Sequence, residues 1–108
     1  MELNLINFHD AVIHDFQFNW TTHQVLVELS IFYDRASTAK KSTMLFTGVD
    51  RFSAGTGAPW GSSHCINTLT LKEGESETDN LNAVNIEMQS GDEIFFLYEK
   101  NKLNTVDL

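Results

Sequence analysis

Two pairs of adjacent histidine and aspartate residues near the start of the sequence could in principle bind a metal ion. They are His9-Asp10 and His14-Asp15. Metal ligands must converge on one point, but residues five apart lie on opposite faces of a strand. His14 alternates with Phe16, so we expect a buried or half-buried structural histidine there, and His9-Asp10 is typical of a turn. The spacing therefore predicts no metal site.

The run Ser63-His64-Cys65 places a nucleophile beside a base in the sequence. Adjacent residues of a strand point to opposite faces, so His64 cannot remove a proton from Cys65 directly. No acidic residue close by in the sequence could orient the imidazole, and Cys65 fits a small core residue instead. Because no nucleophile comes with a positioned base and an orienting group, we expect no enzymatic activity.

The glycine-rich segment 55–61 resembles a phosphate-binding loop only in composition. A dinucleotide-binding loop needs its third glycine at position 60 and a helix afterwards, but Trp60 stands there and a strand pattern follows. No Gly-Lys-Ser/Thr sequence occurs in the chain either. We therefore expect no nucleotide and no other cofactor.

Trp60 has two interpretations. It could pin the glycine-rich loop, with its indole N–H bonded to a carbonyl. It could instead be an exposed anchor for a partner or ligand, since tryptophan is common at interface hot spots. We favour the pin because Pro59 and Gly61 fix the chain on either side and because tryptophan is highly buried on average. Trp60 is nevertheless kept as a candidate binding residue.

The densest charge lies between residues 73 and 80, where we expect an exposed loop because nothing there can be buried. Its acidic members are Glu73, Glu75, Glu77 and Asp79. The chain has 15 acidic and 7 basic residues, a formal net charge of −8. This charge disfavours nucleic acids and anionic membranes and suits a basic protein partner, although it also simply keeps a small protein soluble. The four acidic residues are candidate binding residues for such a partner.

Apolar residues that alternate with polar ones dominate the sequence and predict strands. In each of the first two strands one face collects the apolar side chains: Val12, His14, Phe16, Phe18 and Trp20 in the first, and Val25, Val27, Leu29, Ile31 and Tyr33 in the second. The predicted strands are Val12–Trp20 and Gln24–Tyr33, which form a hairpin, then Thr43–Val49, Cys65–Lys72, Ala83–Met88 and Glu93–Glu99, while Asp50–Ala54 either prolongs the third strand or starts another. We predict one domain over residues 1–108 with an all-β fold. Its architecture is an antiparallel rolled sheet or sandwich of about seven to eight short strands, with at most one short helical turn, near residues 7–11.

The last hairpin also predicts its own register. A three-residue loop, Gln89-Ser90-Gly91, pairs Ile86 with Ile94 and Val84 with Phe96, which puts all four apolar side chains on one face. The same loop places Gly91 where a left-handed backbone is usual. Phe95 and Leu97 alternate onto the other face, so the last strand should be central in its sheet or covered on both sides.

The cellular location is predicted from two features that the sequence lacks, a second cysteine and a signal peptide. Cys65 is the only cysteine, and the first ten residues have neither a basic start nor an apolar run. We therefore expect no secretory signal and a cytosolic, reducing environment. No apolar stretch approaches the ~20 residues that span a bilayer.

Three short motifs carry a resemblance to known proteins. They are His9-Asp10-Ala11, then Pro59-Trp60-Gly61-Ser62-Ser63 with Ile66-Asn67, and finally Glu87-Met88-Gln89-Ser90-Gly91-Asp92. In this order they resemble a family of small bacterial proteins without an assigned activity, some of which look like immunity proteins encoded beside polymorphic toxins. The resemblance covers most of the chain and implies a β-rich fold without catalytic residues. Ser63 and the long acidic segment depart from the family's pattern.

These observations favour a cytosolic binding protein, and the resemblance implies an immunity protein that neutralises a toxin by occluding its active site. The alternative is a small-molecule or carbohydrate-binding module that uses the Trp60 loop. A third hypothesis is a subunit that forms a homodimer through an exposed strand edge.

Overall fold

The computed structural model of the chain describes residues 3, 6–32, 39–55, 63–74 and 80–107. These ranges contain eight strands: β1 (Val12–Asn19), β2 (Gln24–Ile31), β3 (Lys40–Thr47), β4 (Asp50–Ala54), β5 (Ile66–Lys72), β6 (Leu81–Met88), β7 (Glu93–Glu99) and β8 (Leu103–Val106). The first antiparallel sheet has the order β1-β2-β3-β8, and the second has the order β4-β7-β6-β5. The predicted all-β fold is confirmed. The described part of the chain includes no helix with the length and apolar character needed to cross a membrane.

Strand β2 forms the inner face of the first sheet, as its alternation predicts. Its four inward side chains are fully buried: Val25, Val27, Leu29 and Ile31. The polar or half-buried residues between them face outward. Tyr33, which the sequence pattern assigned to the same face, lies outside the described residues.

Strand β1 departs from the predicted alternation at His14. Ile13 pairs with Leu29 and Asp15 pairs with Glu28, so His14 is an extra residue without a partner in the ladder. Such a bulge exchanges the two faces of the strand on one side of it. Ile13 rather than Val12 therefore faces the core, and His14 is exposed, with its Nε2 atom 2.6 Å from the Ser30 hydroxyl. The prediction that His14 is buried or half-buried was wrong.

Beyond the bulge, Phe16 and Phe18 pack against the core, as predicted. The predicted strand ends one residue early, at Asn19, whose side-chain oxygen accepts hydrogen bonds from the backbone N–H groups of Thr21 and Thr22 at 3.0 Å each. Trp20 therefore belongs to the turn and is 79% exposed. Its assignment to the apolar face of the strand was wrong.

The β6–β7 hairpin has the predicted register. Ile86 pairs with Ile94 and Val84 pairs with Phe96. The Met88 N–H donates to the Asp92 carbonyl at 2.8 Å, which closes the three-residue loop, and Gly91 has a φ of 93°. Strand β7 lies between β4 and β6, which confirms its predicted central position.

Three close connections join the two sheets. Residues 48–49 link β3 to β4, which resolves the open alternative: Asp50–Ala54 is a separate strand of the second sheet. Residues 100–102 link β7 back to β8 of the first sheet. At the third connection, an isolated bridge joins Val12 to Cys65, and the Ile13 N–H donates to the His64 carbonyl at 2.8 Å. Chains that pass from sheet to sheet at corners are a feature of packed sheets that share one core.

The core lies between the sheets and is built around Phe46 of β3. The Phe46 ring makes edge contacts with the rings of Phe96 and Tyr98 on β7, and both centroid distances are 4.9 Å. Phe96 also stacks at 6.3 Å on Phe52 of β4, which in turn stacks at 4.6 Å on Phe18 of β1. This row of aromatic rings packs the two sheets against each other, so the opposite face of each sheet points outward.

Candidate functional site

Most of the sequence-predicted binding residues fall outside the described residues. This is the case for Trp60, Glu75, Glu77 and Asp79. Glu73 is described: it follows β5 directly and is exposed to solvent. The Trp60 loop and the acidic segment thus stay predictions, and the described strands supply a second acidic surface.

This surface is the outer side of the second sheet, which we call the acidic face. Its carboxylates belong to Asp50, Glu87, Glu93 and Glu99. Strand pairing places them there, because cross-strand partners share a face and Phe96 occupies the opposite, buried face of β7. Glu93 and Glu99 are the first and last residues of β7. Asp50 pairs with Leu97 from the neighbouring edge strand.

Phe95 occupies the middle of the acidic face and is 38% exposed. Its cross-strand partners are Ser53 on one side and Asn85 on the other. Leu97 and Ala83 pair with each other on the same face and are half-buried. An apolar centre with a charged rim is the usual layout of a protein-binding surface.

Glu87 and Glu93 lie directly opposite each other in the β6–β7 ladder. Like charges in this position destabilise a sheet. The Asn67 side chain donates a hydrogen bond to Glu87 Oε1 at 2.5 Å, which offsets part of the repulsion. Among the residues that the structure describes, none of the acidic-face carboxylates forms an ion pair with a lysine, arginine or histidine. One cation does lie on the same face, because Lys72 of β5 pairs with Ala83.

A second acidic pair provides a natural comparison on the first sheet. Asp15 and Glu28 are also opposite each other, on the outer face of β1 and β2. The Gln17 side chain donates to Asp15 Oδ2 at 2.6 Å. The cross-strand neighbours of this pair include no exposed aromatic residue. Only the acidic face of the second sheet combines opposed carboxylates with an aromatic centre in the described structure.

The histidines serve separate local contacts. His9 Nδ1 is 3.0 Å from the Asn67 carbonyl, and His23 Nδ1 is 3.2 Å from the Val49 carbonyl. His64 is exposed, and Cys65 is half-buried rather than a core residue. Within the described ranges, no group of three or more histidine, cysteine, aspartate or glutamate residues could hold a metal ion. The His9–Asp10 pair, at 3.6 Å, is a local contact on the surface.

Trp20 is the exposed aromatic residue that the sequence pattern missed. The Phe18 ring contacts it edge-on at a centroid distance of 6.0 Å, and most of the indole is exposed to solvent. The signal for its exposure was the polar turn that follows, where Asn19 precedes Thr21 and Thr22.

A groove of about 960 Å³ opens at the edge where β5 and β6 of the second sheet meet β8 of the first. Two buried polar side chains line it, Asn82 and Tyr98. Burial raises the pKa of the Tyr98 hydroxyl above its ordinary value, the hydrogen bond from Asn82 lowers it, and the nearby Glu73 carboxylate raises it further.

Comparison with known proteins adds no assignment to this geometry, since no protein-family model and no curated protein matches the chain.

Proposed function

We propose that this protein is a binding module whose acidic face docks a basic partner protein. The supporting observation is the opposed Glu87–Glu93 pair beside the half-exposed ring of Phe95. A lysine or arginine from a partner would relieve the repulsion, while Phe95 would be buried at the centre of the contact. The acidic face would therefore gain free energy on binding both from charge pairing and from apolar burial.

The resemblance to immunity proteins suggests what the partner is. We propose a basic toxin domain, bound in the cytoplasm so that its active site is occluded. Such an activity needs a surface and no catalytic residues, so the protein would not be an enzyme. The formal net charge of −8 supports fast association with a basic domain, because complementary fields raise encounter rates.

Binding to the purified product of the adjacent gene tests the proposal. The test variant replaces Glu87 and Glu93 by glutamine, and the matched control makes the same change in charge on the first sheet by Asp15→Asn and Glu28→Gln. We expect the test variant to lower the association rate strongly and the control to leave it nearly unchanged. We also expect the wild-type rate to fall as salt is added, because exposed charges are screened over ~8–10 Å at moderate ionic strength.

Equal losses in the two variants would mean that only total charge matters and would reject the acidic face as the site. A third variant neutralises Glu73, Glu75, Glu77 and Asp79, and a larger loss there would move the site to the acidic segment. Phe95→Ala should raise the dissociation rate, since a central aromatic residue commonly contributes ~2 kcal/mol or more to binding.

A further inference from the structure

The groove beside Tyr98 lies at the edge where the two sheets meet, and two buried polar side chains line it. Tyr98 is 3% exposed and Asn82 is 8% exposed. The Tyr98 ring packs on Phe46, a contact that a phenylalanine could make as well. Burying a hydroxyl and an amide costs free energy unless each is hydrogen-bonded. Both groups are hydrogen-bonded here, so the question is which of their donors remain for a ligand.

The hydrogen bonds at the groove fix which atoms are left over. The Gly74 N–H needs an acceptor and finds Asn82 Oδ1 at 3.3 Å, which orients the amide. Asn82 Nδ2 then donates to the Tyr98 hydroxyl oxygen at 3.3 Å. The Tyr98 O–H proton has no acceptor among the described residues, and the amide retains a second N–H. Two donors thus remain at the wall of the groove.

The rest of the lining has no net charge and combines apolar with polar side chains. Leu71 and Leu103 are half-buried and supply apolar surface. Asn101, Asn104 and Thr105 line the groove with side chains that can both donate and accept hydrogen bonds. Lys72 and Glu73, which carry opposite charges, also line it, so their charges offset each other.

We propose that this groove binds an uncharged, hydroxyl-rich small molecule of mono- or disaccharide size. The two donors of Tyr98 and Asn82 would bind an oxygen of the ligand, the amides and hydroxyl of the lining would bind its other hydroxyl groups, and the leucines would contact its C–H face. The volume of about 960 Å³ lies at the upper end of the range for ligand pockets, roughly 300–1,000 Å³. A tyrosine hydroxyl is protonated at neutral pH even at its ordinary pKa of 10.0, so Tyr98 can donate a hydrogen bond there.

The test is a titration of the ¹⁵N-labelled full chain with glucose, N-acetylglucosamine and cellobiose, followed by two-dimensional NMR. We expect saturable shifts of the backbone amides of Gly74, Asn101 and Asn104 with at least one probe. Tyr98→Phe should weaken that binding by about 3- to 10-fold, the factor for one hydrogen bond. Asn85→Ala, on the outer face of the second sheet, is the control and should bind as the wild type does.

Several results would overturn the proposal. One is the absence of saturable shifts at about 100 mM of every probe, since this is far above a Kd of about 1 mM. Another is equal affinity of the wild type and Tyr98→Phe, and a third is tighter binding of glucuronic acid than of glucose. If Tyr98→Phe fails to fold, Asn104→Ala at the exposed rim takes its place with the same expected weakening. The Glu87 and Glu93 double variant should bind the sugar normally, so this test is independent of the proposed partner.

Discussion

Phe95 and Phe96 are adjacent residues of β7 with opposite environments. Substitution of Phe96 should therefore change the stability of the fold, and substitution of Phe95 should change the binding of a partner. Phe96 is fully buried and contacts the rings of Phe46 and Phe52, whereas Phe95 is 38% exposed. We expect Phe96→Ala to lower the free energy of unfolding by ~3–5 kcal/mol, the usual cost of emptying a core aromatic site. Phe95→Ala should cost much less. Urea denaturation of the two variants checks this, and similar losses would contradict the assignment of the two faces.

Tyr98 makes a prediction about pH. Because burial raises its pKa in the folded state, the unfolded state loses the phenol proton first as the pH rises. The unfolded state then binds fewer protons than the folded state, so stability should fall from near the ordinary tyrosine pKa of 10.0 upward.

Denaturation of wild type and Tyr98→Phe at several alkaline pH values measures this effect. The variant lacks the ionisable group, so its stability should fall less steeply with pH. An equal loss of stability with pH in the two proteins would show that the pKa of the Tyr98 hydroxyl is the same in the folded and unfolded states.

At the scale of strands, the β6–β7 hairpin depends on one backbone conformation. Gly91 has a φ of 93°, in a region that residues with a Cβ atom rarely adopt. We expect Gly91→Ala to lower the free energy of unfolding by ~1–2 kcal/mol. Gly55→Ala is the matched control, because Gly55 has no positive φ and its new Cβ would lie 3.9 Å from the nearest heavy atom, the Glu93 carbonyl oxygen. The control should be close to neutral in urea denaturation, and an equal cost at both sites would contradict the turn geometry.

The sequence predicted best those strands whose pattern is long and unbroken. β2 and β6 alternate over most of their length, so their faces followed from burial. β7 has four adjacent apolar residues, and its faces followed from its pairing with β6, in which Ile86 is opposite Ile94. The bulge at His14 was not predicted, because a pattern with a period of two gives no sign of one inserted residue. Strand β8 was not predicted, because only two of its four residues are apolar. The division into two sheets depends on contacts between distant segments, which local periodicity does not contain.

The candidate site was predictable only in part. The hairpin register already implies that Glu87 faces Glu93, so the sequence contained the signal for the acidic face. The density of charge along the sequence instead favoured the four acidic residues between Glu73 and Asp79, which alternate with uncharged ones. The groove could not be predicted, since Asn104 of the first sheet meets the Asn82–Tyr98 pair of the second sheet only when the sheets pack. A surface built from alternate residues of several strands does not form a cluster along the sequence.

At the scale of the whole molecule, the edges of both sheets argue against assembly by strand pairing. Register shifts occur only in pairs that include an edge strand: β1–β2, β4–β7 and β5–β6. The fourth edge, β8, is only four residues long. Bulged or short edges resist the addition of a further strand. Homodimerisation through a strand edge, one of the hypotheses from sequence, is therefore disfavoured.

We accordingly expect the free protein to sediment as a monomer at concentrations of about 100 μM. This is far above the Kd values of about 1 μM or less that stable complexes reach. Sedimentation velocity at several concentrations provides the measurement. A dimer whose amides along β1 or β5 become protected from hydrogen exchange would show that an edge pairs after all.

The last strand has a consequence for the protein while it is being synthesised. β8 is the last of the eight strands to leave the ribosome, yet it covers β3, an eight-residue strand whose pairing with β2 has no irregularity. Until β8 arrives, β3 presents a long, flat row of unpaired backbone groups to other nascent chains, the arrangement that seeds aggregation. Lys40 and Lys41 stand at the start of that row and act as charged gatekeepers. Chains that end before Leu103 should thus be insoluble even though most of the core residues are already present.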